Sequence, residues 1–195
     1  MSIFRLYFEL GLHHIADLRG YDHILFILTL CAVYSLQEWK RVLVLITAFT
    51  IGHSLTLALA TLDVIRVNGD VIEFLIPLTI FITALVNLMS RKQEVSRLQH
   101  YLKYSAAMFF GLIHGLGFSN YLRSLLGSEG GLVLPLFSFN VGIEAGQISV
   151  VAMIMLLTYL VVGVLRMPKR EWHVLLSGAG LGISLVLMIE RFPFG

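Results

Sequence analysis

Long apolar runs, separated by short polar connectors, occupy nearly all of this 195-residue sequence. Six runs stand out, at about 21–36, 42–62, 71–90, 101–122, 132–165 and 174–189. A helix needs about 20 apolar residues to cross the hydrocarbon core of a bilayer, and it satisfies its own backbone hydrogen bonds. Charged residues make up 13% of the chain, against about 25% in a typical soluble domain. The sequence therefore predicts an all-α integral membrane bundle of about six transmembrane helices, a single domain over residues 1–195.

The lengths of the runs refine this expectation. The run 21–36 is short for a span, so we expect it to recruit part of 13–20, whereas 132–165 is long and predicts a tilted helix or a loop before Pro135. Residues 1–20 are expected to form an outer interfacial segment leading into helix 1, with 3–12 as an amphipathic helix. Close helix contacts are predicted at three Gly-x-x-x-Gly spacings, Gly111/Gly115, Gly142/Gly146 and Gly178/Gly182.

Basic residues are distributed unevenly among the connectors. The second and fourth connectors contain Arg66 and Arg123, whereas the first, third and fifth contain Lys40, Arg41, Arg91, Lys92, Arg97, Lys103, Arg166, Lys169 and Arg170. Cytoplasmic loops are enriched in Lys and Arg, so both termini are predicted to be extracytoplasmic in a multi-pass protein of the cell (inner) membrane. The net charge of +2 is too small to point to nucleic acid, which is not among the predicted partners, and the single cysteine, Cys31, excludes a disulfide or thiolate cluster within the chain.

Ionisable and amide side chains interrupt the apolar runs, although each costs roughly 2.5–3.5 kcal/mol at mid-membrane on insertion scales. The candidate metal ligands are His14, Asp17, Asp22, His23, His53, His114 and Glu144. The candidates for an outer shell or a pathway are His13, Thr50, Glu73, Asn140 and Gln147. Asn140, Glu144 and Gln147 follow an i, i+4, i+7 spacing, which places them on one helix face. The structural alternative, strongest for Gln147, is that these groups only hydrogen-bond neighbouring helices.

Imidazole and carboxylate donors without thiolates suit a divalent transition metal such as Ni²⁺, Zn²⁺, Co²⁺ or Fe²⁺. A metal would also offset the cost of burying the carboxylates, and Asp–His pairs would orient the imidazoles. The number of candidates exceeds one coordination sphere. The sequence therefore predicts either two ions or one ion with a relay of partners.

At these same residues the sequence resembles the HupE/UreJ family, membrane proteins associated with nickel supply to hydrogenase and urease. The matching stretches are His14-Ile15, 20–26 (GYDHILF), 47–57 (TAFTIGHSLTL), Glu73 within 71–80, 110–118 (FGLIHGLGF) and 139–147 (FNVGIEAGQ). The resemblance implies divalent metal uptake or permeation, with nickel as the usual association. It also implies that Asp22, His23, His53, His114 and Glu144 are ligand candidates.

Three functions stay open from the sequence. A metal permease would need a route to the cytoplasm, for which Thr79, Thr83 and Asn87 form an i, i+4, i+8 polar stripe; the alternative for that stripe is helix packing. An intramembrane metal-dependent enzyme, hydrolase-like, would use metal-activated water, although no catalytic residue can be assigned. The third function is that of a metal-bearing subunit of a membrane complex. A homo-oligomer is a further expected form of assembly. The predicted partners are thus the lipid bilayer and a metal ion, with no organic cofactor.

Overall fold

The computed structural model describes residues 2–18, 20–89, 97–126 and 131–193. In this part of the chain the regular structure is entirely helical, which confirms the all-α prediction. The seven α-helices are α1 (Ile3–Ala16), α2 (Asp22–Cys31), α3 (Trp39–Thr61), α4 (Gly69–Met89), α5 (Arg97–Leu126), α6 (Val133–Thr158) and α7 (Lys169–Glu190). Arg91 and Lys92, which contribute to the predicted orientation, lie outside the described residues.

Four helical segments are long and apolar enough to cross a membrane. They are Leu36–Thr61, Gly69–Met89, Val133–Val164 and Lys169–Glu190. Large apolar side chains are exposed along them, for example Ile51, Met153 and Ile189, which suits contact with lipid tails. These segments support a membrane location. α6 begins at Val133 and extends through a π-helical turn, Tyr159–Val164, so Pro135 lies in its first turn and no loop precedes that proline within the run.

The first predicted span is not one continuous helix. α1 ends at Ala16, Asp17 adopts an extended conformation, and α2 begins at Asp22. The expected recruitment of 13–20 into that helix is therefore wrong, since the extended Asp17 and the non-helical Leu18, Gly20 and Tyr21 separate the two helices. At a rise of about 1.5 Å per residue, the ten residues of α2 are too few to cross a core of about 30 Å.

Two pairs of helices are packed in backbone contact. In the α3·α5 pair, Gly52 lies against the Met108 carbonyl and Gly111 against the Phe49 carbonyl. Residue numbers rise together along the contact, with Gly115 against the His53 carbonyl, so the two helices are parallel. A Cβ atom at any of these glycines would overlap a backbone oxygen, which explains the need for small residues here.

The α1·α6 pair repeats this contact. Gly11 lies against the Phe139 carbonyl, Gly142 against the Phe8 carbonyl, and Gly146 against Leu12 and Ile15. This pair is also parallel. Two of the three Gly-x-x-x-Gly predictions thus mark real helix contacts. The third is wrong within the described chain, because Gly178 and Gly182 have no described atom within 4 Å of an added Cβ.

The remaining helices close the bundle around α2. α4 and α7 pack against each other in antiparallel fashion, with the Phe74 and Phe192 rings 5.8 Å apart. α2 contacts α4, α6 and α7. The buried Asn87 Nδ2 donates to the Thr29 carbonyl over 2.8 Å, which ties α4 to α2. The start of α2 therefore lies in the interior, beside both glycine-packed pairs.

Candidate metal centre

Four histidines from four helices meet inside the bundle. They are His14 at the end of α1, His23 at the start of α2, His53 in α3 and His114 in α5. The His23 ring lies 4.6 Å from that of His14, 5.8 Å from that of His53 and 5.2 Å from that of His114. His53 and His114 are 0% and 1% exposed. The break between α1 and α2 is what allows two histidines nine positions apart in sequence to face each other.

His14, His23 and His53 have the spacing of a metal site. One ring nitrogen of each lies within 4.8 Å of the other two; we call these residues the three-histidine centre. Neutral imidazole is a common ligand for Ni, Zn, Co and Fe. Because three nitrogens from three helices converge, one ion held there would bind α1, α2 and α3 together.

Each of the four histidines has at least one buried ring nitrogen without a hydrogen-bond partner in the described chain. Among the described residues, no hydrogen bond reaches Nε2 of His14, Nε2 of His23, either ring nitrogen of His53 or Nδ1 of His114. Burying an unsatisfied polar atom costs about 1–3 kcal/mol, so five such atoms in one cluster need an explanation. A cation that accepts one lone pair from each neutral imidazole accounts for one nitrogen of each ring, and the donor set therefore fits a transition metal.

Aromatic rings surround the histidines. The Phe118 ring centroid lies 4.0 Å from that of His14 and stacks on Phe139 at 5.2 Å. Phe49 and Phe26 lie 5.0 Å and 5.4 Å from the His114 ring. Such an apolar shell limits water access to a metal centre.

Asp22 lies next to the centre but faces a different partner. Its Oδ2 accepts from Nη1 of Arg191 over 3.1 Å, and its side chain is 14% exposed. Oδ1 is buried without a hydrogen bond in the described chain. The structure thus makes Asp22 half of an ion pair between α2 and the end of α7, directly beside His23.

Glu144 lies in a different polar cluster. Three hydrogen bonds connect α3 to α6: Thr47 Oγ1 to Glu144 Oε1 at 2.8 Å, Thr50 Oγ1 to Gln147 Oε1 at 2.7 Å, and Ser54 Oγ to Asn140 Oδ1 at 2.7 Å. We call these six residues the polar seam. The i, i+4, i+7 spacing correctly predicted the shared face on α6, and that face contacts the hydroxyls of α3.

Comparison with known proteins identifies the family of this chain. The profile described as HupE / UreJ protein matches residues 1–191. The chain belongs to the HupE/UreJ family. Searches of curated proteins and of solved structures found no match. Family membership and the apolar helices support a membrane protein with a role in metal handling, and the resemblance seen in the sequence is confirmed.

The HupE/UreJ stretches contribute unequally to the centre. The stretch 20–26 supplies His23, 47–57 supplies His53, and 110–118 supplies both His114 and the Phe118 wall. The stretch 139–147 instead supplies the α6 side of the polar seam. His13, Asp17 and Glu73 are exposed, so the structure does not bring these three candidates into the centre.

Two partners were missed by sequence reasoning. Arg191 is 169 positions from Asp22, and Thr47 is 97 positions from Glu144. No sequence pattern marks either residue as a partner. Arg191 is a basic residue at the end of the last helix, and Thr47 lies in a helix that faces lipid on one side. The one usable signal is that Thr47, Thr50 and Ser54 repeat at i, i+3, i+7, which predicts a hydroxyl-lined face.

Proposed function

We propose that this HupE/UreJ protein is a permease for a divalent transition metal of the nickel type, with the three-histidine centre as the site that binds the transported ion. The observation that carries the proposal is the set of buried, unpartnered imidazole nitrogens at His14, His23 and His53. Imidazole nitrogen selects Ni²⁺, Co²⁺, Zn²⁺ or Fe²⁺ over Mg²⁺ and Ca²⁺, which prefer oxygen.

The neutrality of the ligands is compatible with transport. A transport site has to bind its ion well enough to admit it and weakly enough to release it. Three imidazoles add no negative charge, and the nearest carboxylate on α2, Asp22, is already paired with Arg191. Asp22 and Glu144 are therefore proposed to act at the borders of the path rather than as the first ligands.

Polar groups continue from the centre along α4. Thr79 Oγ1 lies 3.1 Å from Nε2 of His114, Thr83 follows one turn later, and the buried Asn87 contacts α2. His114 stands between this stripe and His23. We propose that the ion leaves the three-histidine centre past His114 and along the Thr79, Thr83 and Asn87 stripe.

The proposed topology has six crossings, with both termini extracytoplasmic. α3 and α5 are parallel, α6 returns after α5, and α1 is parallel to α6; α1 therefore starts on the opposite side from α3. In this topology α1 and α2 together form one crossing, which is interrupted after Ala16 and resumes at Asp22. Broken helices of this kind are found at the binding sites of many transporters, and here His14 and His23 flank the break.

Liposomes containing the purified protein test the proposal. We expect Ni²⁺ uptake by the parent protein and by His173→Ala, whose histidine lies at the start of α7, but not by His53→Ala. Uptake by His53→Ala at the parental rate would overturn the assignment of the site. A parent protein that binds Ni²⁺ tightly without moving it would overturn the permease proposal in favour of an enzyme or a metal-bearing subunit.

A further inference from the structure

The hydroxyl of Thr79 makes two contacts whose roles can be separated. Its Oγ1 lies 2.7 Å from the Ile76 carbonyl oxygen and 3.1 Å from Nε2 of His114. A hydroxyl has one proton to donate and two lone pairs to accept with. A carbonyl oxygen can only accept, so the single proton of Thr79 is directed to Ile76. The contact with His114 is then left for the Thr79 lone pairs.

We infer that Thr79 is a positioning residue that holds His114 as the tautomer protonated at Nε2, so that Nδ1 is the nitrogen offered to a metal ion. A neutral imidazole carries its proton on one ring nitrogen, and the hydrogen bond made by that nitrogen selects the tautomer. Nδ1 of His114 is buried and has no hydrogen-bond partner in the described chain, as expected for a nitrogen that keeps its lone pair free.

The same hydroxyl arrangement occurs elsewhere in this protein with an unambiguous donor. Thr158 Oγ1 donates to the Ile154 carbonyl over 2.9 Å and receives the Trp172 indole Nε1–H over 3.1 Å. Indole nitrogen is a donor only, so Thr158 must accept from it. Thr79 has the same two distances within 0.2 Å, with His114 in the place of the indole.

His53 differs from His114 in this respect. No described residue bonds to either of its ring nitrogens, so nothing in the protein selects its tautomer. Of these two histidines, His114 is therefore the one whose metal-binding nitrogen is chosen in advance by the protein. The role of His114 in metal handling rests on the proposed function, whereas the assignment of its tautomer does not.

Nitrogen NMR of the metal-free protein, labelled at histidine, tests the tautomer directly. His114→Ala identifies the resonances of His114 by their loss. We expect a proton on Nε2 in the parent and in Thr79→Ser, which keeps the hydroxyl, and a mixture of tautomers in Thr79→Val, which has no acceptor. Thr158→Val removes the equivalent hydrogen bond outside the centre and should leave the His114 signals unchanged. A proton on Nδ1 in the parent would overturn the inference, as would an unchanged tautomer in Thr79→Val.

Ni²⁺ titration of the same proteins tests the consequence for binding. Loss of an outer partner of a metal-binding histidine typically lowers affinity by about 10–100-fold, and we expect this for Thr79→Val but not for Thr79→Ser or Thr158→Val. Equal affinities in Thr79→Val and the parent would overturn the positioning role. A parent protein that binds no Ni²⁺ but shows the Nε2-protonated tautomer would contradict the proposed function and leave the tautomer assignment standing.

Discussion

The α3·α5 pair and the α1·α6 pair share one backbone contact and carry different chemistry. In each pair, one glycine of the first helix lies against a backbone carbonyl of the second helix. That carbonyl comes three residues before a contact glycine of the second helix, and another contact glycine follows one turn later. Yet the residue after Gly52 is His53, whereas the residue after Gly11 is Leu12. The first pair presents His53, with both ring nitrogens unpartnered, and His114, with Nδ1 unpartnered in the described chain. The second presents one such imidazole, His14 on α1, beside amides and a carboxylate on α6 that already have hydrogen bonds.

This difference shows that close helix packing and the ability to bind a metal depend on different residues. The glycines set how closely two helices approach, and they do so equally well whether a histidine or a leucine follows. Metal-binding character comes instead from leaving nitrogen lone pairs unused in the interior. A polar residue inside a membrane protein is therefore best judged by whether its hydrogen-bonding groups are satisfied, rather than by its presence in a helix.

The largest expected effect is an all-or-none difference in orientation between the pairs. With the buried Cys31 as the background, the exposed positions Ile3 and Gln37 can each be changed to cysteine. Because α1 and α3 start on opposite sides in the proposed topology, a membrane-impermeant maleimide should label Ile3→Cys in intact cells, and Gln37→Cys only after permeabilisation. Labelling of both cysteines from the same side would contradict the opposite orientations of α1 and α3.

Next in size is the effect on metal affinity of the residue that follows the glycine. His53→Ala removes a proposed ligand, so Ni²⁺ affinity in a calorimetric titration should fall by at least about 10–100-fold. Leu12→Ala changes the equivalent position of the other pair and should reduce stability while keeping the affinity. If the two variants bind Ni²⁺ equally well, the chemical distinction between the pairs is wrong.

The glycine contacts should contribute equally to stability. An added methyl group at Gly111 or Gly142 would meet a backbone oxygen, and overpacking of this kind costs about 1–3 kcal/mol. Thermal melting in detergent should show similar losses for Gly111→Ala and Gly142→Ala. Gly178→Ala, where the added carbon meets no described atom, is the matched control and should melt no lower than the parent. A large loss in only one pair would show that the two contacts are not equivalent.

The smallest effect is expected in the polar seam. Thr47→Val and Ser54→Ala each remove one hydrogen bond to α6, and interhelical hydrogen bonds in membrane proteins contribute about 0.6 kcal/mol on average. Melting should therefore shift slightly, with Ni²⁺ affinity unchanged. Should Thr47→Val, which releases Glu144, weaken Ni²⁺ binding as much as His53→Ala does, Glu144 belongs to the metal centre after all.

Much of the architecture could be predicted from the sequence, and most of the polar pairing could not. Hydropathy located α3, α4, α6 and α7 to within a few residues, because the apolar length needed to cross lipid is fixed. At a rise of about 1.5 Å per residue, the positions of His23, His53 and His114 in their apolar runs also predict overlapping depths, in the outer half or the middle of the bilayer. Depth, however, says nothing about which neighbour a side chain faces.

The rotation of each helix depends on contacts between residues that are far apart in sequence. Asp22 and Glu144 resemble metal ligands by depth and residue type, but the structure gives them Arg191 and Thr47 as partners. The break before α2 was also missed, because the short run 21–36 was extended toward 13–20 to reach the length of a span, across Asp17, which is extended in the structure. The glycine spacings were informative in α5 and α6 and misleading in α7, because a small residue permits a close contact without requiring one.

The backbone contact between α3 and α5 has a mechanical consequence. Sliding one helix along the other would drive the side chains that flank Gly52 and Gly111 into the opposing carbonyls, so the pair moves as one rigid body. In the proposed permease, the motion that lets an ion in and out would occur at joints made by side chains, where packed helices can shift by small amounts. α2 is held in this way, by Asn87 at one end and by Arg191 at the other. Because a break separates α2 from α1, this short helix can rock relative to the rigid α3·α5 pair.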